Sequence, residues 1–360
     1  MSRDLVKLKA GLLCLGARVE PETARLLAAE YPHFFEKGFV HAVNVRIAGA
    51  NVNISVAEGF TAESPYLIVK RDGKYRVTGG GWDVPIRFYP NLPATGTVVD
   101  ELAQLHSANC INIWPSTTCS YDTPELKCRF CSLKADAEAP LDIGELCEGL
   151  RRLLAQIPKG PALNFSGGTF RDPDWMAGYW IRLCRAIREF SDTGIAVELA
   201  PPSDLGLLRE LKAAGANAAI MNLEVADPRR RREICPGKSR ISYEHYHEAF
   251  REAVDCFGWG MVSSVLIGGI QPKEEIMAEI AVMASEGVFP TIMPFRPMDD
   301  CELYGFRRCP PEELLEMSAY LGTLLHTYKL ESWKQPGCTE CGGCSLENDF
   351  YRKLEERKTP

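Results

Sequence analysis

From about residue 105 to 330 the chain alternates short apolar runs with amphipathic helical stretches, and this rhythm narrows the fold more than any other feature. The apolar runs cover 110–114, 162–166, 195–199, 218–223, 262–267 and 291–295. The spacing of apolar residues between them predicts helices over 143–156, 175–191, 205–214, 243–257 and 273–286, with a last one over 311–328. In the first helix Ile143, Leu146, Leu150, Leu153, Leu154 and Ile157 form one stripe, and Asp142 stands where an N-cap belongs. Six β/α units in succession imply a parallel sheet with crossover helices. Six fall short of a closed eight-unit barrel, which leaves a partial barrel or a doubly wound sheet. Both place chemistry at the C-terminal ends of the strands. The expectation is an α/β fold, a partial (β/α)6 TIM-type barrel over residues 104–330.

The first 103 residues read differently. Helical segments at 5–14 and 21–30 precede period-2 stretches at 41–47, 51–56, 65–70 and 84–89, followed by a proline-containing segment at 90–93. These predict a small α+β domain rich in short antiparallel strands. Residues 331–360 form a separate C-terminal segment.

Fourteen cysteines are many for a chain with no signal-peptide pattern. Lys7 and Lys9 break the N-terminal apolar stretch, and no apolar run approaches the length of a bilayer span. The expected location is the cytoplasm, where clustered cysteines more often bind metal than form disulfides. A net charge of −7 argues against a dedicated nucleic-acid binder.

Two cysteine groups stand out. Cys119, Cys128 and Cys131 follow the first strand of the array, with eight residues in the first gap and two in the second. Three thiolates can hold three irons of a [4Fe–4S] cubane and leave the fourth iron open. A structural zinc would need a fourth ligand, and His106 precedes the strand, at its wrong end. The second group is Cys338, Cys341 and Cys344, spaced like the first three cysteines of a bacterial ferredoxin run. It suggests an auxiliary [4Fe–4S] cluster, with zinc or a redox tail as alternatives. Its fourth ligand is open among Cys301, Cys309, Ser345 and a nearby arginine. The other eight cysteines, such as Cys147 and Cys184, read as small buried apolar residues.

On the first cysteine group, with Phe130 before its last member, the chain resembles the radical S-adenosylmethionine (SAM) superfamily. The family's usual first gap is three residues, so Ser120–Lys127 is a longer excursion. The resemblance covers about 105–330 and is strongest to the biotin synthase-like branch. It implies that Ser166-Gly167-Gly168-Thr169 resembles the family's Gly-Gly-Glu segment, which binds the methionine ammonium. Asn222-Leu223-Glu224 is similar to the Asn-Leu-Asp that binds the SAM ribose, and Glu198 also points to the strand ends. A basic residue pairing with the SAM carboxylate falls on Arg240, with Lys238 second. Val265–Gly269 and Met293–Arg296 would flank adenine.

The resemblance implies a 5′-deoxyadenosyl radical that abstracts hydrogen from an unactivated C–H bond. A terminal three-cysteine cluster on such a barrel is most similar to archaeal-type two-component lipoyl synthases, which suggests sulfur insertion. A radical cofactor-biosynthesis rearrangement and an oxidation without sulfur transfer are alternatives, as is a two-cluster electron-transfer protein. Expected partners are a small-molecule or carrier-bound substrate, an electron donor such as ferredoxin or flavodoxin, and a second enzyme subunit. Arg229–Arg232 reads as a solvated loop or a docking site for an acidic carrier. His245 and His247 read as ordinary surface or core residues.

Overall fold

The computed structural model describes residues 3–31, 42–116, 119–133, 141–157, 160–169 and 172–356. The N-terminal unit comprises α1 (Arg3–Leu15), β1 (Arg18–Val19), α2 (Pro21–Glu30), β2 (Ala42–Ile47), β3 (Ala50–Ser55), β4 (Leu67–Arg71), β5 (Lys74–Gly79), β6 (Trp82–Pro85) and β7 (Arg87–Phe88). These strands build two small sheets, β1-β4-β5-β6 and β3-β2-β7. The expected strand at 41–47 begins at Ala42, because residue 41 lies outside the described residues. Strand β5 is an addition to the sequence reading. It follows from Asp72-Gly73, both at positive φ (50° and 71°), a pair suited to the tight turn that closes the β4–β5 hairpin.

The remainder runs α3 (Val99–Leu102), β8 (Ala103–Ser107), β9 (Cys110–Ile113), α4 (Ile143–Gln156), β10 (Ala162–Phe165), α5 (Pro173–Arg188), β11 (Ile195–Glu198), α6 (Gly206–Ala213), β12 (Ala218–Ile220), α7 (Pro228–Ile234), α8 (Tyr243–Phe257), β13 (Val262–Gly268), α9 (Lys273–Ser285), β14 (Val288–Pro294), α10 (Pro311–Tyr328), α11 (Cys338–Cys341) and α12 (Glu347–Glu356). Strands β9 to β14 pair in parallel in sequence order. Strand β8 adds an antiparallel edge beside β9, giving a curled seven-stranded half-barrel. The fold is therefore the expected α/β partial barrel, enlarged by an edge strand that the β/α rhythm does not contain.

Helix starts follow side-chain chemistry. Asp142 Oδ1 accepts from the N–H groups of Gly144 (2.8 Å) and Glu145 (3.2 Å), Asp172 caps Trp175 at 2.7 Å, and Ser242 caps His245 at 3.1 Å. Leu146, Leu150 and Leu153 of α4 turn into the core between helices and sheet, with Leu163 and Phe165 of β10 opposite. Cys147 and Cys184 are buried there as apolar side chains.

The arginine run departs from expectation. Residues 228–234 are helical, and Arg231 is buried, its guanidinium lying 4.4 Å from the centre of the Tyr246 ring and donating to the carbonyls of Leu223 and Ile241. It is a packing residue, so only part of the run faces solvent. His247 is likewise internal, 2.7 Å from Glu286 and 3.1 Å from Glu279. No helix among the described residues is long and apolar enough to cross a membrane.

The tail returns to the barrel. Lys9 of α1 is buried and donates to the Gly342 carbonyl (2.8 Å) and the Asp349 carboxylate (2.9 Å). Asn51 Nδ2 donates to the Cys341 carbonyl at 2.8 Å, and the Asn53 N–H donates to the Gly343 carbonyl at 2.9 Å. The N-terminal unit thus holds the cysteine-bearing turn of the tail in place.

Candidate metal centre and active-site cavity

The loop after β9 carries the first cysteine group. Its long first gap folds into a compact turn: the Asp122 N–H donates to the Cys119 carbonyl (2.9 Å), and the Leu126 and Lys127 N–H groups donate to the Thr123 carbonyl. Lys127 pairs with Asp122 at 2.7 Å. The Gly237 N–H donates to the Leu126 carbonyl at 2.9 Å, and a Cβ at Gly237 would come within 2.6 Å of that carbonyl and of the Tyr121 ring. The excursion is therefore a clamped element that brings Cys119 near Cys128 and Cys131.

Cys128 and Cys131 line a cavity of about 440 Å³ at the C-terminal ends of the strands. Burial raises the Cys131 thiol to about 12 and pushes Cys119 up as well, with the neighbouring thiols adding to both. Loading iron onto this trio therefore releases protons. Cys128 and Cys131 on the cavity wall, with Cys119 beside them, offer three soft sulfur donors that fit a cubane with one iron left open.

Cys235, counted among the scattered cysteines, is fully buried against Cys128. The ligand atoms of Cys128, Glu224 and Cys235 all lie within 4.8 Å of one another. Cys235 does not line the cavity. Burial first, then its hydrogen bond to Cys128, drives its thiol far above the ordinary range, so it stays protonated behind the ligand loop.

Phe130, Ser166, Gly167, Gly168, Thr169, Glu198, Asn222 and Glu224 all line the same cavity. Asn164 Nδ2 and Ser166 Oγ both donate to Asn112 Oδ1, at 2.7 and 3.0 Å. Asn222 Nδ2 donates to Glu198 Oε1 at 2.7 Å, while Asn222 Oδ1 accepts from the Val265 N–H at 3.1 Å. Burial raises the Glu198 carboxyl to about 7, against the opposing charge of Lys238. Glu224 has a left-handed backbone, φ 66°, held by the Gln271 amide, which donates to the Glu224 carbonyl at 2.8 Å.

Lys238, the second choice for a carboxylate partner, lines the cavity and donates to Glu224 Oε1 at 2.7 Å. Arg240, the first choice, sits exposed at the end of the short 3₁₀ turn Lys238–Arg240 and is not part of the cavity wall. Two residues along such a turn point apart, which the sequence register could not resolve.

The second cysteine group enters the same cavity from the opposite end. The Cys338 N–H donates to Asn164 Oδ1 (3.1 Å), and the hydroxyls of Thr339 and Ser263 are 3.2 Å apart, near the N-terminal ends of their strands. Cys338, Cys341 and Cys344 all line the cavity. A hydrogen bond from the Cys110 thiol, joined by His106, brings the Cys338 thiol down to about 5 against the effect of burial, whereas burial raises Cys341 to about 12. Neither expected cysteine candidate for a fourth ligand is here. Cys301 packs with Cys128 and Cys235, and Cys309 adjoins Cys14. Ser345 donates instead to Glu347 at 2.6 Å.

No family model matches the chain. It is 26% identical over 280 residues to the bacteriochlorophyllide c C-7(1)-hydroxylase of Chlorobaculum limnaeum, covering 69% of each protein. Among solved structures, methylornithine synthase aligns with a TM-score of 0.48 at 20% identity, over 60% of this chain and 61% of that one. A maturase of the [FeFe]-hydrogenase aligns with a TM-score of 0.48 at 15% identity, over 59% of this chain and 49% of that one. A radical SAM methyltransferase from Sphaerobacter thermophilus aligns with a TM-score of 0.47 at 14% identity, over 72% and 75%. The chain thus spans 61% and 49% of the length of the first two structures. The three-cysteine loop stands at the C-terminal rim of a parallel half-barrel, beside strand ends that converge on one cavity, and the chain is similar in sequence to the bacteriochlorophyllide hydroxylase over about two thirds of its length.

Proposed function

We propose that this chain is a radical SAM enzyme that removes hydrogen from an unactivated C–H bond and installs sulfur there, using a second [4Fe–4S] cluster on Cys338, Cys341 and Cys344. One observation supports this reading above others: Cys128 and Cys131 of the first group and all three cysteines of the second line a single cavity. A substrate in that cavity meets both. When bound, the first cluster with SAM supplies a 5′-deoxyadenosyl radical and the second supplies sulfide.

The protein's own residues bind and orient. Cys119, Cys128 and Cys131 hold the first cluster. Acceptors along Ser166–Thr169 take the methionine ammonium, Asn222 and Glu224 the ribose, and Lys238 the carboxylate. The tail closes the floor and excludes water, which protects a radical from side reactions. A one-electron donor such as ferredoxin or flavodoxin supplies the reducing electron. The substrate is a small molecule or a carrier-bound chain, and a second enzyme subunit completes the transformation.

A second reading, hydroxylation at the same carbon, is favoured by the name of the bacteriochlorophyllide relative. Anaerobically reconstituted protein carrying ³⁴S-labelled cluster sulfide, incubated with SAM, reductant and an octanoyl-lysyl peptide in ¹⁸O-water, separates the two. The proposal expects 5′-deoxyadenosine and a peptide bearing ³⁴S. A peptide bearing ¹⁸O and no ³⁴S moves the assignment to hydroxylation. Reduction of the clusters with no 5′-deoxyadenosine leaves an electron-transfer protein.

A further inference from the structure

The floor of the cavity holds a metal-binding side chain far from the tail in sequence. Strands β8 and β9 run antiparallel and meet at Ser107↔Cys110, which brings His106 and Cys110 to the end of the barrel where the tail enters. The pairing is not regular. Leu105 faces Ile111 and Ser107 faces Cys110, so His106 is the extra residue of a bulge. Bulges re-aim side chains and cluster beside functional sites.

The result is a histidine among three cysteines. His106 lines the cavity together with Cys338, Cys341 and Cys344. Its ring packs against Trp114, with centroids 5.6 Å apart, and it is hydrogen-bonded to Cys338, while its carbonyl oxygen lies 3.8 Å from Cys341 Sγ. The other candidates are less well placed. Cys110 is fully buried within β9, does not reach the cavity, and hydrogen-bonds Cys338. Arg296 donates to the Leu13 carbonyl and to Asn53.

We propose that His106 is the fourth protein ligand of the tail cluster, giving a Cys338/Cys341/Cys344/His106 site with no open iron. The proposal rests on the reading of the tail as a cluster site and adds what completes it. The two ends of the cavity then differ in kind: an open iron at the mouth and a closed, nitrogen-ligated cluster at the floor. Imidazole is neutral where thiolate is anionic, so such a cluster is easier to reduce than an all-cysteine one.

The test uses the full chain with Cys119, Cys128 and Cys131 all changed to Ala, so that only the tail site is loaded. After anaerobic reconstitution it should retain about four irons. Reduced with dithionite, it should show an electron spin echo modulation from a directly bound ¹⁴N that changes to the ¹⁵N pattern when histidine is ¹⁵N-labelled. His106→Cys should keep the iron and lose the nitrogen coupling. Four irons without a ligand nitrogen overturn the assignment of His106 and leave the cluster standing, and loss of iron in Cys110→Ala but not in His106→Ala does the same. A triple variant that binds no iron, or only zinc, overturns the cluster reading and the ligand together.

Discussion

Lys238 Nζ and Glu224 Oε1 are 2.7 Å apart on the cavity wall, and the carboxylate belongs to a residue held at φ 66°. Burial opposes the charge on Lys238, but Glu224, Tyr246 and Cys128 outweigh it and hold the ammonium charged well above its ordinary range. The pair thus sets a charged ammonium beside a carboxyl group at the strand ends, an arrangement suited to a zwitterionic amino acid group. Lys238→Met should weaken SAM binding by about ten-fold or more, roughly 1.4 kcal/mol or above. Arg240→Ala should leave it within about two-fold, since that side chain faces solvent. Equilibrium binding of SAM to the reconstituted protein measures both. Equal losses in the two variants would contradict the placement.

Gly237 lets the cysteine loop close. A Cβ there meets a backbone carbonyl and a buried ring at 2.6 Å, and neither yields easily. Gly237→Ala should cost about 1–3 kcal/mol locally and displace Tyr121 and Leu126, which carry the turn between Cys119 and Cys128. Iron bound at the first site should fall while the tail site keeps its content. Iron counts made with and without Cys338→Ala distinguish the two sites.

His247 sits between Glu279 and Glu286. Burial disfavours its charge, but the flanking Glu279 and Glu286 carboxylates, which accept from the ring and attract its charge, prevail and raise its pKa to about 9, from an ordinary 6.5. A histidine whose pKa is higher in the folded chain binds more protons there than in the unfolded chain. Its contribution is therefore full below about pH 6.5 and is lost as pH rises through about 9. Urea unfolding should show stability falling across that window by about 2–3 kcal/mol at most. His247→Gln should flatten the slope, and an unchanged slope would place the titration elsewhere.

The β/α array was legible because its signals are local. The helices Ile143–Gln156 and Tyr243–Phe257 carry apolar stripes and begin on capping side chains, Asp142 and Ser242, one residue before the first turn. Strand β8 was not legible. Its residues 103–106 are half-buried, with neither the alternation of a surface strand nor the continuous apolar run of a central one. The eight cavity-lining positions from Phe130 to Glu224 were readable because motif and strand end coincide. The sequence could not place Lys238 and Arg240 relative to the cavity, which only Lys238 lines, because a 3₁₀ turn, unlike a helix or strand, gives no sequence period to count on.

The tail was half legible. Its cysteine spacing suggested a metal site, yet spacing says nothing about where the segment docks. The relevant neighbours, His106, Asn164 and Lys9, lie from 174 to 333 positions upstream. Pairings at that separation leave no local pattern. Likewise Cys235 looked like filler until the fold set it against Cys128.

The buried Lys9 bridge to Gly342 and Asp349 has a consequence for how the molecule is made. The reaction chamber gets its floor from a stretch translated after every barrel strand, fastened to a helix translated before them all. During synthesis the half-barrel therefore stands open at its lower end, and its sulfur ligands are reachable by assembly factors from beneath. Lys9→Met should therefore leave the barrel folded but loosen the tail, so that its cysteines react faster with an added thiol reagent.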